Sequence, residues 1–431
     1  MPASPVPEFL KPSHRLLIVT IDRLPAWMIS ACGAGWVSMP SVDRLASRGI
    51  VFDRCLVTSD DVQEVFRSLV CPAGESSIFE QVRRCGHESI LVTDAQWLRD
   101  NPFKDTGFSK RTGMNPDEVR FVEGATKNVV ATHAESTHLF RIFDEACLAV
   151  ESGARHLVWC HVESLGVSWD APLDYRFSYA DPDDPAPKND SVVDEMSVTN
   201  QTDPDQIVGI RQAFAGQLTL LDECLGRLMG KIESSSDQWT VLLCGVRGMA
   251  LGLHGYVGTQ WSRPFGELIH VPAILCDPQG RMSSQRFGGL TIPADLSTTV
   301  AGGAFGVADV SSSNPSSARS LDQLFTSWKY DARDRVVVTS MAGRTAAIVT
   351  PAWHLAAWCC DSSEKSAVHK IEDLTIQLFS KPDDFFELSD VADRCRDVTD
   401  ELGALAVAVI NGSAESAWSA LLSQKASEGF S

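Results

Sequence analysis

What this 431-residue sequence lacks narrows its chemistry first. It has no CxxC pair, so neither a zinc ribbon nor a thioredoxin-type redox motif fits. Its twelve cysteines are scattered, several inside apolar runs (Cys160, Cys244, Cys276), the usage of buried thiols in a reducing compartment. The adjacent Cys359 and Cys360 cannot easily bridge to each other. No GxxxxGK[ST], HExxH or GxSxG occurs, which removes the phosphate loop, the zincin helix and the nucleophile elbow. Gly288-Gly289 and Gly302-Gly303 read as turns. The Pro-rich residues 1–14 have no apolar core of a secretory signal, and no run reaches membrane-spanning length. The expectation is a cytoplasmic protein without a membrane partner. Basic residues are also short, 37 Lys and Arg against 56 Asp and Glu, a net charge of -19. Such a surface repels nucleic acid and anionic membranes, and a polyanionic substrate would need a local basic pocket.

What is present is a large core. With 44% hydrophobic and 22% charged residues, the chain buries far more than a disordered one could. Leu16 to Ile21 form a nearly continuous apolar run that ends in Asp22, the pattern of a buried parallel strand with an acid at its carboxyl end. Ligands gather at that end of open α/β sheets. Helical spacing over residues 40–48 follows. Further on, residues 77–85 read as helix and 89–93 as strand, then 136–152 as helix and 156–161 as strand. The longest helix spans 205–233 and leads into strands 239–244 and 271–276. This alternation predicts an α/β fold with a doubly wound, mostly parallel sheet flanked by helices. The acidic, Pro-rich residues 181–206 read as a surface loop or lid. Short strands at hairpin spacing after residue 335, and a helix over 392–409, predict a small C-terminal antiparallel α+β subdomain. The divisions are then an N-terminal extension (1–14), the α/β domain (15–310), a Ser-rich connector (311–334) and the small subdomain (335–431).

Several stretches carry a resemblance. Asp22 after its strand, then Pro40-Ser-Val-Asp-Arg-Leu-Ala-Ser-Arg-Gly-Ile-Val-Phe52, resembles the opening of the sulfatases of the alkaline-phosphatase-like superfamily. Residues 161–175, Phe265-Gly-Glu-Leu-Ile-His-Val-Pro-Ala-Ile274, residues 293–302 and residues 378–392 are similar to later family segments, in the same order. The resemblance implies that superfamily's fold. It also implies a divalent cation held by Asp, Asn and His, a Cys or Ser nucleophile followed by an Arg, and basic groups around a sulfate.

Position by position, the match to that chemistry thins. Asp22 stands at the first metal-binding Asp, where a carboxylate suits calcium or magnesium. Arg23 beside it instead offers the acid an ion pair. Val62 falls at the nucleophile and Phe66 at its Arg; a one-residue shift brings Gln63 and Arg67, and neither Val nor Gln can attack. Val246 and Arg247 occupy the second metal pair after strand 239–244. Gly166 stands where a substrate-side His is expected. His254 remains in a Leu-His-Gly context, and such a lone His is more often structural. His161, at a strand end, reads as locally satisfied.

The expectation is therefore a sulfatase-like protein with no catalytic residue set and no cofactor, a pseudoenzyme binding a protein partner or a small anion. Arg23, Arg247 and His254 are its anion-binding candidates. The alternative is a divergent sulfatase or phosphatase-like hydrolase, with calcium or magnesium rearranged onto Asp22, Asp60, Asp61, Glu64 and Asp94.

Overall fold

The fold, taken from a computed structural model, is described for residues 15–72, 77–99, 116–124, 128–153, 156–260, 263–305, 318–327, 332–340, 343–359 and 370–412. Its centre is β1 (Arg15–Ile21), which pairs in parallel with β5 (Leu157–Val162) on one side and β7 (Trp239–Gly245) on the other. The side chains of β1 alternate between two cores. Leu16 and Ile18 face one layer, while Leu17, Val19 and Ile21 face the other, all at or near zero exposure. A strand with helices on both faces has to be apolar throughout, which is why this run is continuous rather than alternating.

Among the described residues the sheet has nine strands. β2 (Ile50–Leu56), β3 (Ser89–Thr93), β4 (Glu118–Phe121), β10 (His270–Val271), β11 (Ala273–Cys276) and β12 (Gln285–Thr291) complete it, in the order β10-β2-β11-β7-β1-β5-β3-β4 with β12 also on β2. β1 pairs in parallel with β5 and β7, β3 with β4 and β5, and β12 with β2, while β11 is antiparallel to β7. Helices Pro40–Arg48, His138–Glu151 and Pro204–Ser234 cover one face, and Val62–Val70, Ile78–Arg84 and Pro293–Phe305 the other. The α/β expectation holds. A four-stranded antiparallel sheet follows, β13 (Val336–Thr339), β14 (Thr345–Val349), β15 (Trp353–Cys359) and β16 (Leu374–Ser380), packed by helix Arg396–Ile410. It is tied to the segment after β2 where Thr339 N–H donates to the Thr58 carbonyl (3.0 Å).

Five details differ from the sequence reading, the first being that Gly302-Gly303 is no turn but part of the helix Pro293–Phe305. Gly288-Gly289 is not a turn but the middle of β12, whose register shifts between Phe287 and Leu290, as an edge strand with a bulge allows. The 271–276 run is two strands, β10 and β11, separated by Pro272 and antiparallel to β2. The C-terminal helix begins at Arg396, four residues later than residue 392. Residues 181–206 are not a free lid: β6 (Met196–Ser197) pairs with β9 (Tyr256–Gly258), which pairs with β8 (Ala250–Leu251). The Ser-rich 311–317 lies outside the described residues, and so do residues 1–14.

Candidate active site at the strand ends

The carboxyl ends of β1, β5, β7 and β3 meet at one edge of the sheet, and their first loop residues are Asp22, Glu163, Val246 with Arg247, and Asp94. Backbone bonds lock these loops together. Asp22 N–H donates to the Val162 carbonyl (2.8 Å), Val246 N–H to Ile21 (2.9 Å) and Leu24 N–H to Arg247 (2.8 Å). The side chains are thus placed by the sheet, not by flexible loops.

Asp22 is 1% exposed and held from two directions by one guanidinium. Arg247 Nε donates to Oδ1 (2.9 Å) and Nη2 to Oδ2 (2.6 Å), a bidentate fork, and Nη1 donates to the Asp60 carbonyl (2.7 Å). Burial alone would raise the Asp22 pKa; the charge and hydrogen bonds of Arg247, with the charge of Arg23, outweigh it and hold the carboxyl below its usual range. Arg23 is 3.7 Å from Asp22 and donates one long bond, Nη1 to the Gly248 carbonyl (3.4 Å). Burial pulls its pKa down to about 10. Its backbone is left-handed, φ 61°, a conformation that costs a non-glycine residue about 1 kcal/mol or more. Gly166 explains how the side chain fits: a Cβ there would lie 2.9 Å from Arg23 Cγ. The glycine that replaces the expected His is the space in which this arginine lies.

Of the sequence-derived candidates, Asp22, Arg23 and Arg247 come together. His254 does not join them. Its Nδ1 faces Glu267 Oε1 (3.1 Å) and its Nε2 the Glu387 carbonyl (3.4 Å), and its ring stacks on Phe265. Burial lowers its pKa, but Glu267 and Glu387 reverse this and leave it raised. Val62 opens the Val62–Val70 helix, with Asp61 as its cap, accepting from Gln63 N–H (3.0 Å). Phe66 is wholly buried, packed on Trp97, Trp159 and His161.

Two residues were missed or undervalued in the sequence. Glu163 accepts from Trp97 Nε1 (3.2 Å), and burial, with the charges of Asp22 and Asp94, raises its pKa to about 7. The signal was available, an acid directly after an apolar strand, as at Asp22. His161 has Nδ1 3.0 Å from Thr20 Oγ1, which also accepts from Trp159 Nε1 (2.8 Å), but Nε2 is buried with no protein partner. Its pKa is lowered to about 4 by burial.

A divalent cation does not fit this arrangement. Both oxygens of the Asp22 carboxylate already accept from a guanidinium, and a further positive charge beside Arg247 and Arg23 would be repelled. Val246 is apolar. The other acids have separate tasks: Asp61 caps a helix, Glu64 takes the Ser59 hydroxyl (2.6 Å), and Asp94 accepts from Glu163 and Ser164 N–H groups and meets His138 Nε2 (3.0 Å). Among the described residues no three His, Cys, Asp or Glu side chains gather as a metal site.

No family model matches the sequence, and no curated protein does. Solved structures do. A protein in complex with its substrate D-glucosamine-2-N,6-O-disulfate superposes with a TM-score of 0.66 at 13% identity, over 90% of this chain and 95% of that one. The phosphonate monoester hydrolase of Agrobacterium radiobacter gives 0.64 at 15%, over 96% of both chains. A 2-O GAG sulfatase gives 0.64 at 13%, over 91% of both.

Proposed function

We propose that this chain, which has the fold of the sulfatases and phosphonate monoester hydrolases of the alkaline-phosphatase-like superfamily, has lost metal-dependent ester hydrolysis and acts as a binding protein. The observation that carries this reading is the Asp22–Arg247 fork: a fixed guanidinium neutralises the strand-end carboxylate that a cation would need. An apolar Val62 at the helix start supports it, because no attacking atom stands there. The partner is a protein or a small anion. Arg23 is the guanidinium suited to an anion, since it makes one long hydrogen bond where Arg247 commits all three nitrogens. The eleven cysteines among the described residues are unbridged, which supports a reducing, cytoplasmic setting. No helix of the described residues is long and apolar enough to cross a membrane.

The test is calorimetric titration with calcium and with magnesium, alongside turnover of aryl sulfate and aryl phosphate esters. Neither heat nor turnover is expected, and sulfate is expected to raise the melting temperature in the parent but not in Arg23→Gln. Metal binding and turnover that both vanish in Asp22→Ala would establish the hydrolase instead.

A further inference from the structure

A cavity of about 460 Å³ lies between the β2–β12 edge of the large sheet and the C-terminal sheet, within the size range of small-molecule sites. Leu56, Ile269, Val349 and Phe385 give it an apolar wall, and none of the strand-end residues described above lines it. Most of its charges are neutralised internally. Glu387 is paired with His354 (2.6 Å) and Lys381 (2.9 Å), and Asp53 with Arg286. The Lys381 ammonium also donates to the Asp384 and Phe385 carbonyls, which fills its three donors.

Arg54 is different. Its terminal nitrogens donate to the carbonyls of Pro351 (2.8 Å) and Thr350 (2.7 Å), and no carboxylate of the described residues pairs with it. Burial pulls its pKa down without an acid to offset it. A half-buried guanidinium with no carboxylate partner, in a recess whose other charges are paired, is stabilised by whatever anion reaches it. His270 supplies a second handle. Its Nε2 donates to the Asp53 carbonyl (2.8 Å), so in the neutral ring Nδ1 is the acceptor. Burial, then Lys381, lowers its pKa to about 4, so the ring is neutral at pH 7.

We propose that this cavity is a second binding site, for a small organic acid with an aromatic-sized apolar body, its carboxylate on Arg54 and a hydroxyl or N–H donating to His270 Nδ1. The acid end sets the choice between ligands, because a neutral analogue leaves the guanidinium as it is.

The probe is 4-hydroxyphenylacetate, compared with its neutral amide, by calorimetry and thermal shift on the full chain. The acid is expected to bind at least about ten-fold more tightly than the amide, the difference that one charge-assisted pair supplies. Arg54→Gln is expected to remove that preference. Because Arg54→Gln could weaken folding, Gly288→Trp is the second variant. Gly288 lines the cavity, and a Cβ built on it meets nothing within 4 Å, so the indole fills the recess without displacing backbone. It is expected to abolish binding with an unchanged circular dichroism spectrum. No binding of the acid at millimolar concentration, equal binding of acid and amide, or binding that survives Gly288→Trp would each overturn the proposal.

Discussion

Arg247 reaches Asp22 with two nitrogens and Asp60 with a third, so one side chain joins the loops after β7 and β1 to the segment before the Val62–Val70 helix. Asp22 is buried and the Arg247 side chain is only 12% exposed, and a buried charge is tolerable only while its counter-charge stays. Arg247→Ala leaves the Asp22 carboxylate with Arg23 3.7 Å away and is expected to cost about 3–5 kcal/mol in urea unfolding. Asp22→Asn combined with Arg247→Met removes both charges and is expected to recover most of that loss. If the double variant is as unstable as the single one, the pair is not the unit that matters. In the sequence, Asp22 and Arg247 were legible separately, one as an acid after a strand and the other as a replacement at a metal position. The resemblance, which puts both at metal positions, also brings Arg247 near Asp22, but the bidentate fork was not legible, because 225 residues separate the partners and the parallel pairing of β1 with β7 sets their geometry. His254 has the structural role that the sequence favoured, but its partners were not legible, for the complementary reason. Its local Leu-His-Gly context looked like a site, while the acids that hold it, Glu267 and Glu387, lie elsewhere in the chain.

The elements themselves were mostly legible because their ends are marked chemically. Asp61, Ser77, Thr137 and Asp203 each accept a backbone N–H at the start of a helix, the local signal that separates helix from loop. Thr137 is fully buried; its hydroxyl accepts from Phe140 N–H (3.3 Å) and donates to the Ala134 carbonyl (2.5 Å). Thr137→Ala is expected to destabilise the protein by about 1–2 kcal/mol, and Thr137→Ser by much less, in the same urea assay. Equal losses would mean that the methyl group, not the hydroxyl, holds the helix start. Where no such mark exists, the reading failed. β12 contains Gly288-Gly289, residues that locally argue for a turn, and only the pairing of their neighbours on either side with β2 carries the strand through them. β4, Glu118–Phe121, is a half-exposed edge without an apolar run, and its pairing with β3 is likewise non-local. The direction of β11 could not be read from its composition, since a buried apolar run looks the same parallel or antiparallel.

For the molecule as a whole, pH couples the strand-end site to stability through groups of opposite sign. His161 and His270, held near 4, take up protons in the unfolded chain first, at about 6.5, so both destabilise the fold as pH falls from 6.5 toward 4. Glu163 works the other way. Its folded pKa of about 7 lies above its unfolded value near 4.5, so the buried, ionised carboxylate is unfavourable above 7 and protonation relieves it as pH falls through that window. His254, raised by Glu267 and Glu387, also adds stability on the acid side. Below about 4.5, Asp22 and Glu387 add a further loss, because their lowered folded values make the unfolded chain the better proton acceptor. Two histidines whose shifts match that of Glu163 outweigh it, so urea-unfolding stability is expected to fall from pH 7 to pH 4 and more steeply below 4.5. Measurement at about 0.15 M salt screens the self-repulsion of a chain carrying -19. Glu163→Gln isolates the opposing group. It removes the contribution that rises as pH falls, so its stability is expected to drop more steeply than the parent's between pH 7 and 4.5, with the two curves converging in acid. An unchanged slope in the variant would mean that Glu163 titrates in the fold as it does in the unfolded chain, like an ordinary surface carboxylate, and the strand-end environment assigned to it would have to be abandoned.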